Sequence, residues 1–229
     1  ADASEAYFLR APRDGAAYTW SVADSLRALP FEPRPVRASA AVDVGAHINL
    51  ATEADFLEID KALGEVRTPV LVVDAVSLHM EPTLLVVGAR DAAPRTVTVR
   101  ARSMAAGIVA GTLRITAPAG WHVEPAAVDV AFQRRGDEHT YAFAVTPPAT
   151  GQVDAVLRAR FDTPHRSYTR GFDIIDYPHI QPHAIYRDAA TRSAGMDVRI
   201  ATVAEHGVSR PLRIGYIEGA GDDGAAALR

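Results

Sequence analysis

The sequence predicts a mainly β protein made of β-sandwich modules, with a truncated α/β segment at its C-terminal end. Three observations predict this fold class. Segments that alternate apolar and polar residues follow one another from Pro69 to Tyr177. Turn-forming residues separate these segments about every 8–12 residues, which is the spacing of an all-β sandwich. No amphipathic helix of three turns interrupts the series.

Residues 75–177 predict one sandwich of about 100 residues, the size of an immunoglobulin-like or fibronectin-III-like module. In RTVTVRARS, Val97 and Val99 share one face, and in HTYAFAVTP, Phe143 and Val145 do the same. Because successive side chains point to opposite faces of a strand, each segment should have one buried and one solvated face. The other predicted strands are PVLVVDAVSLHM, TLLVVG, GTLRITAP, VDVAFQ, AVLRARFD and YTRGFDIIDY.

Residues 1–74 predict the back part of a preceding β domain, that is, a partial β-sandwich module. EAYFLRA, AYTWSV and AAVDVGAHINLA have the composition of strands, and ADFLEIDKALGE is compatible with either a helix or a strand. LPFEPRPV holds three prolines in eight residues. Proline fixes its own backbone and restricts the residue before it, so we expect an extended connector or a sheet edge there.

Residues 178–210 predict an extended, proline-pinned linker and a short strand, MDVRIATVA. Residues 211–229 predict the first strand, glycine turn and helix start of an α/β domain, which ends before a crossover could return to a sheet. The chain also begins without an initiator Met. We therefore expect both ends to be cut from a longer polypeptide whose other domains are the partners of this region.

Composition excludes several classes of function. A net charge of −4 provides no basic surface for nucleic acid, and no apolar run reaches the roughly 20 residues that span a bilayer. The absence of cysteine excludes disulfides, cysteine nucleophiles and thiolate zinc sites. Nucleophile elbows, SxxK motifs and phosphate-binding GxxxxGK[ST] loops do not occur. The sequence therefore predicts a soluble chain with no catalytic residues.

A glycine-rich turn near the C-terminus has the pattern of a nucleotide site. Gly219, Gly221 and Gly224 fit the glycines of a dinucleotide-binding strand-to-helix turn. Such a site also needs a second strand and an acidic residue about 20 positions further on, and the chain ends before that point. A plain tight turn is the favoured interpretation.

Two histidines have the spacing of helical zinc ligands. His179 and His183 stand four positions apart, but Pro178 and Pro182 exclude a helix that would place both on one face. No carboxylate lies at a convincing third-ligand position. We expect the two rings to pack or hydrogen-bond at a domain junction, and we predict no metal site and no cofactor in this chain.

Three aromatic residues are candidates for binding carbohydrate: Trp121, between two predicted strands, and Trp20 and Tyr18 in the first segment. An exposed aromatic ring can stack on a sugar. A Trp between two strands is more often a plug at the end of a sandwich core. Both interpretations stay open at this point.

Five strings together resemble one protein family. In their order and spacing they are similar to the region behind the catalytic domain in large, multidomain members of the LmbE-like, PIG-L-type de-N-acetylases. The strings are GEVRTPVLVVDAVSLHMEP, APAGWHVEP, FAVTPP, IDYPHI and RIGYIEGAGDD.

The resemblance implies an upstream zinc-dependent domain with an HPDD-type motif, which removes acetyl groups from N-acetylglucosaminyl substrates. It also implies β-sandwich modules, then a domain similar to class I glutamine amidotransferases, and a secreted or cell-envelope location. This chain has no HPDD string, and GAHINLA around His47 lacks the paired aspartates, so the resemblance implies that zinc is bound by a catalytic domain outside this chain. The hypothesis is a non-catalytic accessory region that positions the catalytic domain or aids glycan binding. The alternatives are a carbohydrate-binding module and a structural spacer or oligomerisation module.

Overall fold

The structure, a computed structural model, describes residues 3–11, 13–19, 26, 29–88, 92–149, 153–177 and 179–196. The chain divides into two units, residues 1–196 and 197–229. The second unit lies outside the described residues, and so do the predicted α/β segment 211–229 with its glycines and Trp20. No helix within the described part of the chain is long and apolar enough to cross a membrane.

Strands make up most of the regular structure in the described residues, and a short 3₁₀ turn covers Tyr7–Leu9. The strands of the N-terminal region are β1 (Arg37–Asp43), β2 (His47–Glu53), β3 (Asp55–Asp60) and β4 (Gly64–Pro69). The strands that follow are β5 (Val76–Glu81), β6 (Leu84–Gly88), β7 (Arg95–Ser103), β8 (Val109–Thr116), β9 (His122–Glu124), β10 (Val128–Phe132), β11 (Glu138–Thr146), β12 (Ala155–Asp162), β13 (Ser167–Tyr168), β14 (Arg170–Tyr177), β15 (Ile180–Asp188) and β16 (Ala190–Met196).

Two sheets form a β-sandwich from residue 76 to residue 196. One sheet has the order β5-β7-β11-β9, and the other has the order β10-β8-β12-β16-β6 with β13 beside β12. All pairs are antiparallel except β16 with β6. The neighbours β5-β7-β11 match strands A, B and E of the immunoglobulin fold, and β8-β12-β16 match C, F and G. The predicted mainly β, immunoglobulin-like fold class is confirmed.

The core of the sandwich comes from the alternation that the sequence displays. Along β7 every second residue is buried, and β12 follows the same rule. Phe132, Phe143 and Phe161 are at most 1% exposed, and the rings of Phe132 and Phe161 meet edge to face at 6.0 Å. Burying a side chain of this size stabilises the fold by about 1.5–3 kcal/mol. The core therefore holds the two sheets together without help from another part of the chain.

The segment predicted as a linker instead forms two strands over residues 180–196, of which β16 belongs to the sandwich and β15 to a separate hairpin. There β15 pairs with β14 to form a hairpin, and β16 pairs with both β12 and β6. The hairpin is thus an insertion between the strands equivalent to F and G. The register shifts between Ile175 and Tyr177, opposite Pro182. A β-bulge tolerates a residue without an N–H, so Pro182 is compatible with a strand in the segment predicted as an extended linker.

The described residues of the N-terminal region form two separate two-stranded sheets, not the packed layers of a partial sandwich. β1 pairs with β2, and β3 pairs with β4. The ambiguous segment ADFLEIDKALGE is a strand followed by a turn, because Asp60 Oδ1 accepts hydrogen bonds from the amides of Ala62 and Leu63. EAYFLRA, predicted as a strand, contains the 3₁₀ turn, and AAVDVGAHINLA spans a hairpin.

Candidate functional site

Several polar and buried groups outside the sandwich core lie close together at one place, which we call the junction. It comprises the N-terminal segment (residues 3–10), the connector (residues 30–35), residues 69–74 and the hairpin β14–β15 with β13. Two hydrogen bonds attach the N-terminal segment there. The Ser4 amide donates to the Val72 carbonyl at 2.7 Å, and the Val72 amide donates to Ser4 Oγ at 2.9 Å.

A network of ion pairs crosses the junction. Arg170 Nη1 lies 3.1 Å from Glu5 Oε2, and Arg166 Nη2 lies 2.7 Å from Asp74 Oδ1. A longer contact of 3.8 Å joins Arg170 Nη2 to Asp74 Oδ2. The side chains of Glu5 and Asp74 are only 10% and 9% exposed. A carboxylate this deeply buried keeps its charge only when it is paired. Arg166 and Arg170 supply the positive charges that Glu5 and Asp74 need.

Tyr186 of β15 contributes an aromatic ring to this network. The Arg170 guanidinium lies 4.4 Å from the centre of the Tyr186 ring, within cation–π distance. The Tyr186 hydroxyl is buried and has no hydrogen-bond partner among the described residues. Burial raises the pKa of Tyr186, and the negative charge of Asp74 raises it further. The phenol therefore stays neutral and serves as a platform for Arg170.

Close contact between strands brings the hairpin to the junction. Gly171 of β14 lies so near β5 that a Cβ atom there would meet the Leu78 carbonyl oxygen at 2.2 Å. The amide of Phe172 donates to Ser77 Oγ at 3.1 Å. A small apolar cluster also packs the hairpin against the N-terminal segment. Its members are Phe172, Ala184 and Tyr186, with Ala3, Val73 and Met104 packed against them.

Ser77 and His79 form a serine–histidine contact of the kind that can activate a nucleophile. Ser77 Oγ lies 3.2 Å from His79 Nε2. However, Ser77 is 3% exposed, and its oxygen already accepts the Phe172 amide. A nucleophile must reach a substrate carbonyl, which this oxygen cannot do. The Ser77–His79 pair is therefore a structural contact within β5, and Ser77 also binds β14 through the Phe172 amide.

Two adjoining cavities lie within the junction and share Ala3, Glu5 and Arg10. One, of about 410 Å³, is lined by the ion-pair network. The other, of about 280 Å³, lies between the N-terminal segment, the connector and β15. Glu32 lines this second cavity, and its pKa is raised by burial, while nearby Arg10 opposes the shift and Glu5 adds to it.

The predicted aromatic residues have different surroundings. Trp121 is half-buried and packs against the core of the sandwich, with its amide donating to the Pro118 carbonyl at 3.3 Å. Tyr18 is 47% exposed; its ring meets Phe8 edge to face at 6.0 Å and lies 6.0 Å from the Arg13 guanidinium. Trp20 lies outside the described residues.

The predicted histidines have local partners. His183 Nδ1 donates to the Gln181 carbonyl at 3.0 Å, and its ring lies 5.8 Å from Phe31. His179 stacks on Tyr177 at 5.9 Å, and His47 lies 3.4 Å from Asp43 on an exposed hairpin. Within the described residues, no group of three or more His, Asp or Glu side chains could hold a metal ion.

Sequence reasoning missed the residues of the junction network. Glu5 and Arg170 are 165 positions apart, and Asp74 and Arg166 are 92 apart. Each is a common charged residue in a segment without a motif. No sequence signal relates members of such pairs, because their proximity depends on the docking of the N-terminal segment.

Comparison with known proteins yields little. No protein-family model matches the chain, and no curated protein matches it. Among solved structures, the chain is similar to the crystal structure of the apo form of the Calx CBD1 domain, at 12% sequence identity and a TM-score of 0.29. The likeness covers 55% of this chain and 100% of that domain. A likeness of this strength supports no argument, and the fold assignment stands on the strand pairing.

Proposed function

We propose that this chain is the accessory, non-catalytic β-sandwich region of a secreted LmbE-like N-acetylglucosaminyl deacetylase, and that it positions the catalytic domain of that protein. The family strings between Gly64 and Asp223 support the parentage. The observation that carries the positioning role is the attachment of the N-terminal segment to the sandwich through Glu5, Asp74 and Arg170.

The junction has the properties that a positioning role needs. The core of the sandwich is built from residues 76–189, without residues of the N-terminal segment. Buried ion pairs contribute little net stability, but they are satisfied in only one geometry. Hydrogen bonds from Ser4 fix the same segment along residues 69–74. Together these contacts hold the polypeptide that enters the sandwich in one orientation.

An assay of this chain with zinc and an N-acetylglucosaminyl substrate tests the accessory role. We expect no release of acetate, whereas a longer protein with an HPDD-type motif upstream of Ala1 should release it. Turnover by the 229-residue chain alone would contradict the proposal. In the longer protein, Asp74→Asn should lower the rate of acetate release. Asp173→Asn, which disrupts an exposed ion pair with Arg187, is the matched control and should not.

A second candidate function is carbohydrate binding through aromatic side chains. The exposed ring of Tyr18 favours it, because an accessible aromatic face can stack on a sugar. Trp20 belongs to the same proposal, and Trp121 contributes only with the face that the core leaves free. If a chitooligosaccharide binds this surface, Tyr18→Ala should abolish binding and Trp121→Phe should not. Binding that survives Tyr18→Ala unchanged would exclude Tyr18 as the platform.

A further inference from the structure

The cavity of about 280 Å³ at the junction is lined by both apolar and polar residues. Phe31, Pro33 and Pro182 are among the apolar residues, and Phe31 is the aromatic one. Arg10, Glu32 and Gln181 are among the polar residues. Ligand sites for small molecules combine apolar walls with a few convergent polar groups, and their volumes start at about 300 Å³, close to the volume of this cavity. The raised pKa of Glu32 is a further property of such sites.

The charges that line this cavity are balanced. Arg10 Nη2 lies 2.6 Å from Glu32 Oε2, and Arg34 Nε lies 2.7 Å from Asp55 Oδ1. Glu5 is paired with Arg170. An anion would meet the carboxylates of Glu5 and Glu32, and a cation would meet the two guanidinium groups. The pairing therefore favours an uncharged ligand.

The paired groups retain hydrogen-bonding capacity for such a ligand. A guanidinium has five N–H donors and a carboxylate accepts about four hydrogen bonds, so the Arg10–Glu32 contact uses only part of either group. The Gln181 amide both donates and accepts. A hydroxyl group does the same, and neighbouring hydroxyls on a ring match neighbouring donors and acceptors. A wholly apolar ligand would leave these groups without partners.

We propose that this cavity binds a single neutral sugar ring, with the apolar face of the ring on Phe31 and its hydroxyl groups on Arg10, Glu32 and Gln181. A cavity of about 280 Å³ has room for a small ligand of one ring. The site is distinct from the exposed surface at Tyr18. It requires only the junction that the structure describes, so it holds whether or not the chain belongs to a de-N-acetylase.

Titration of the 229-residue chain with D-glucose and with N-acetyl-D-glucosamine, followed by NMR, tests the proposal. At least one of the two sugars should bind with a dissociation constant on the order of 1 mM. Phe31→Leu keeps an apolar side chain of similar bulk and removes the aromatic face, and it should weaken binding about tenfold. Tyr18→Ala is the control and should leave the dissociation constant unchanged.

Charged sugars provide the second arm. The unaltered chain should bind D-glucuronate and D-glucosamine more weakly than either neutral sugar. Glu32→Gln removes one negative charge and leaves Arg10 without its carboxylate, so glucuronate should gain affinity relative to glucose. Unchanged unfolding midpoints would show that both variants fold. The proposal is overturned if neither neutral sugar binds. It is also overturned if Phe31→Leu leaves the binding unchanged, or if only Tyr18→Ala removes it.

Discussion

The sandwich and the N-terminal region are both built mainly from antiparallel strand pairs, yet they differ in the fraction of their side chains that is buried. In β7 every second side chain is buried against the facing sheet, whereas all side chains of β1 and β2 are exposed. A strand's alternation becomes a core only where a second layer covers it. The sandwich has that layer, and the described hairpins of the N-terminal region do not.

The β1–β2 hairpin makes the difference concrete. Val42 pairs with Ile48 and Ala40 pairs with Leu50, so these residues share one face of the hairpin. Val42, Ile48 and Leu50 are 38%, 43% and 57% exposed. An isolated two-stranded hairpin is only marginally stable in water. The N-terminal region therefore depends on its attachment at the junction, whereas the sandwich depends on its own core.

The largest expected effect is in the sandwich core. Phe161→Ala should lower the free energy of unfolding by about 3–5 kcal/mol, because it removes a fully buried ring and leaves a cavity. Ile108→Ala, at a residue that is 72% exposed, is the control and should change it by no more than about 0.5 kcal/mol. Urea unfolding followed by circular dichroism measures both. Equal losses for the two variants would contradict the assignment of the core.

The next effect concerns the attachment of the β14–β15 hairpin to β5. Gly171→Ala places a Cβ atom 2.2 Å from the Leu78 carbonyl oxygen, so a strand must shift, at a cost of about 1–3 kcal/mol. Gly107→Ala is the control, since no atom lies within 4 Å of its Cβ position. Hydrogen exchange should show faster exchange of the β14–β15 amides in the first variant only. Normal protection in Gly171→Ala would show that the strands are not in close contact.

The sequence predicts those parts of the fold that depend on local patterns. Alternation in β7 and β11 identifies Val97, Val99, Phe143 and Val145 as buried residues, and the structure agrees. YTRGFDIIDY is predicted as a strand and forms β14, but its pairing with β15 escapes prediction because it depends on contacts distant in sequence, such as that of Gly171 with β5. For the same reason no pattern indicated the junction. Periodicity records which face of a strand is apolar, but it does not record which other segment covers that face.

A third prediction separates the junction from ordinary surface charges. Asp74→Asn should weaken the attachment of the N-terminal segment by about 1–3 kcal/mol, because Arg166 loses its buried carboxylate partner and Arg170 keeps only Glu5. Asp173→Asn breaks an exposed pair with Arg187, which is worth about 0–1 kcal/mol. Limited proteolysis between residues 3 and 74 reports on the attachment. Cleavage at the same rate in both variants would mean that Asp74 is not part of a junction.

The smallest expected effects are pH dependences of opposite sign in the two regions. Burial of Asp162 in the sandwich opposes ionisation, but hydrogen bonds from Ser167, Arg160 and Arg114 outweigh it, so its pKa lies below the usual value. Its stabilisation is therefore present above the unfolded pKa of about 3.9 and is lost as the pH falls through the folded pKa. Glu32 at the junction has a raised pKa, caused chiefly by burial. It binds its proton more tightly in the folded state, so this contribution to stability grows as the pH falls through the folded pKa.

These signs can be measured separately because the two carboxylates lie in different regions. Asp162→Asn should flatten the loss of sandwich stability at acidic pH, which urea unfolding at a series of pH values measures. Glu32→Gln should remove a gain in protease resistance of the N-terminal segment at mildly acidic pH. If both variants changed the same transition in the same direction, the sandwich and the N-terminal region would be one cooperative unit. The attachment at the junction would then be part of the core's stability, and the contrast between a self-sufficient sandwich and a dependent N-terminal region would not hold.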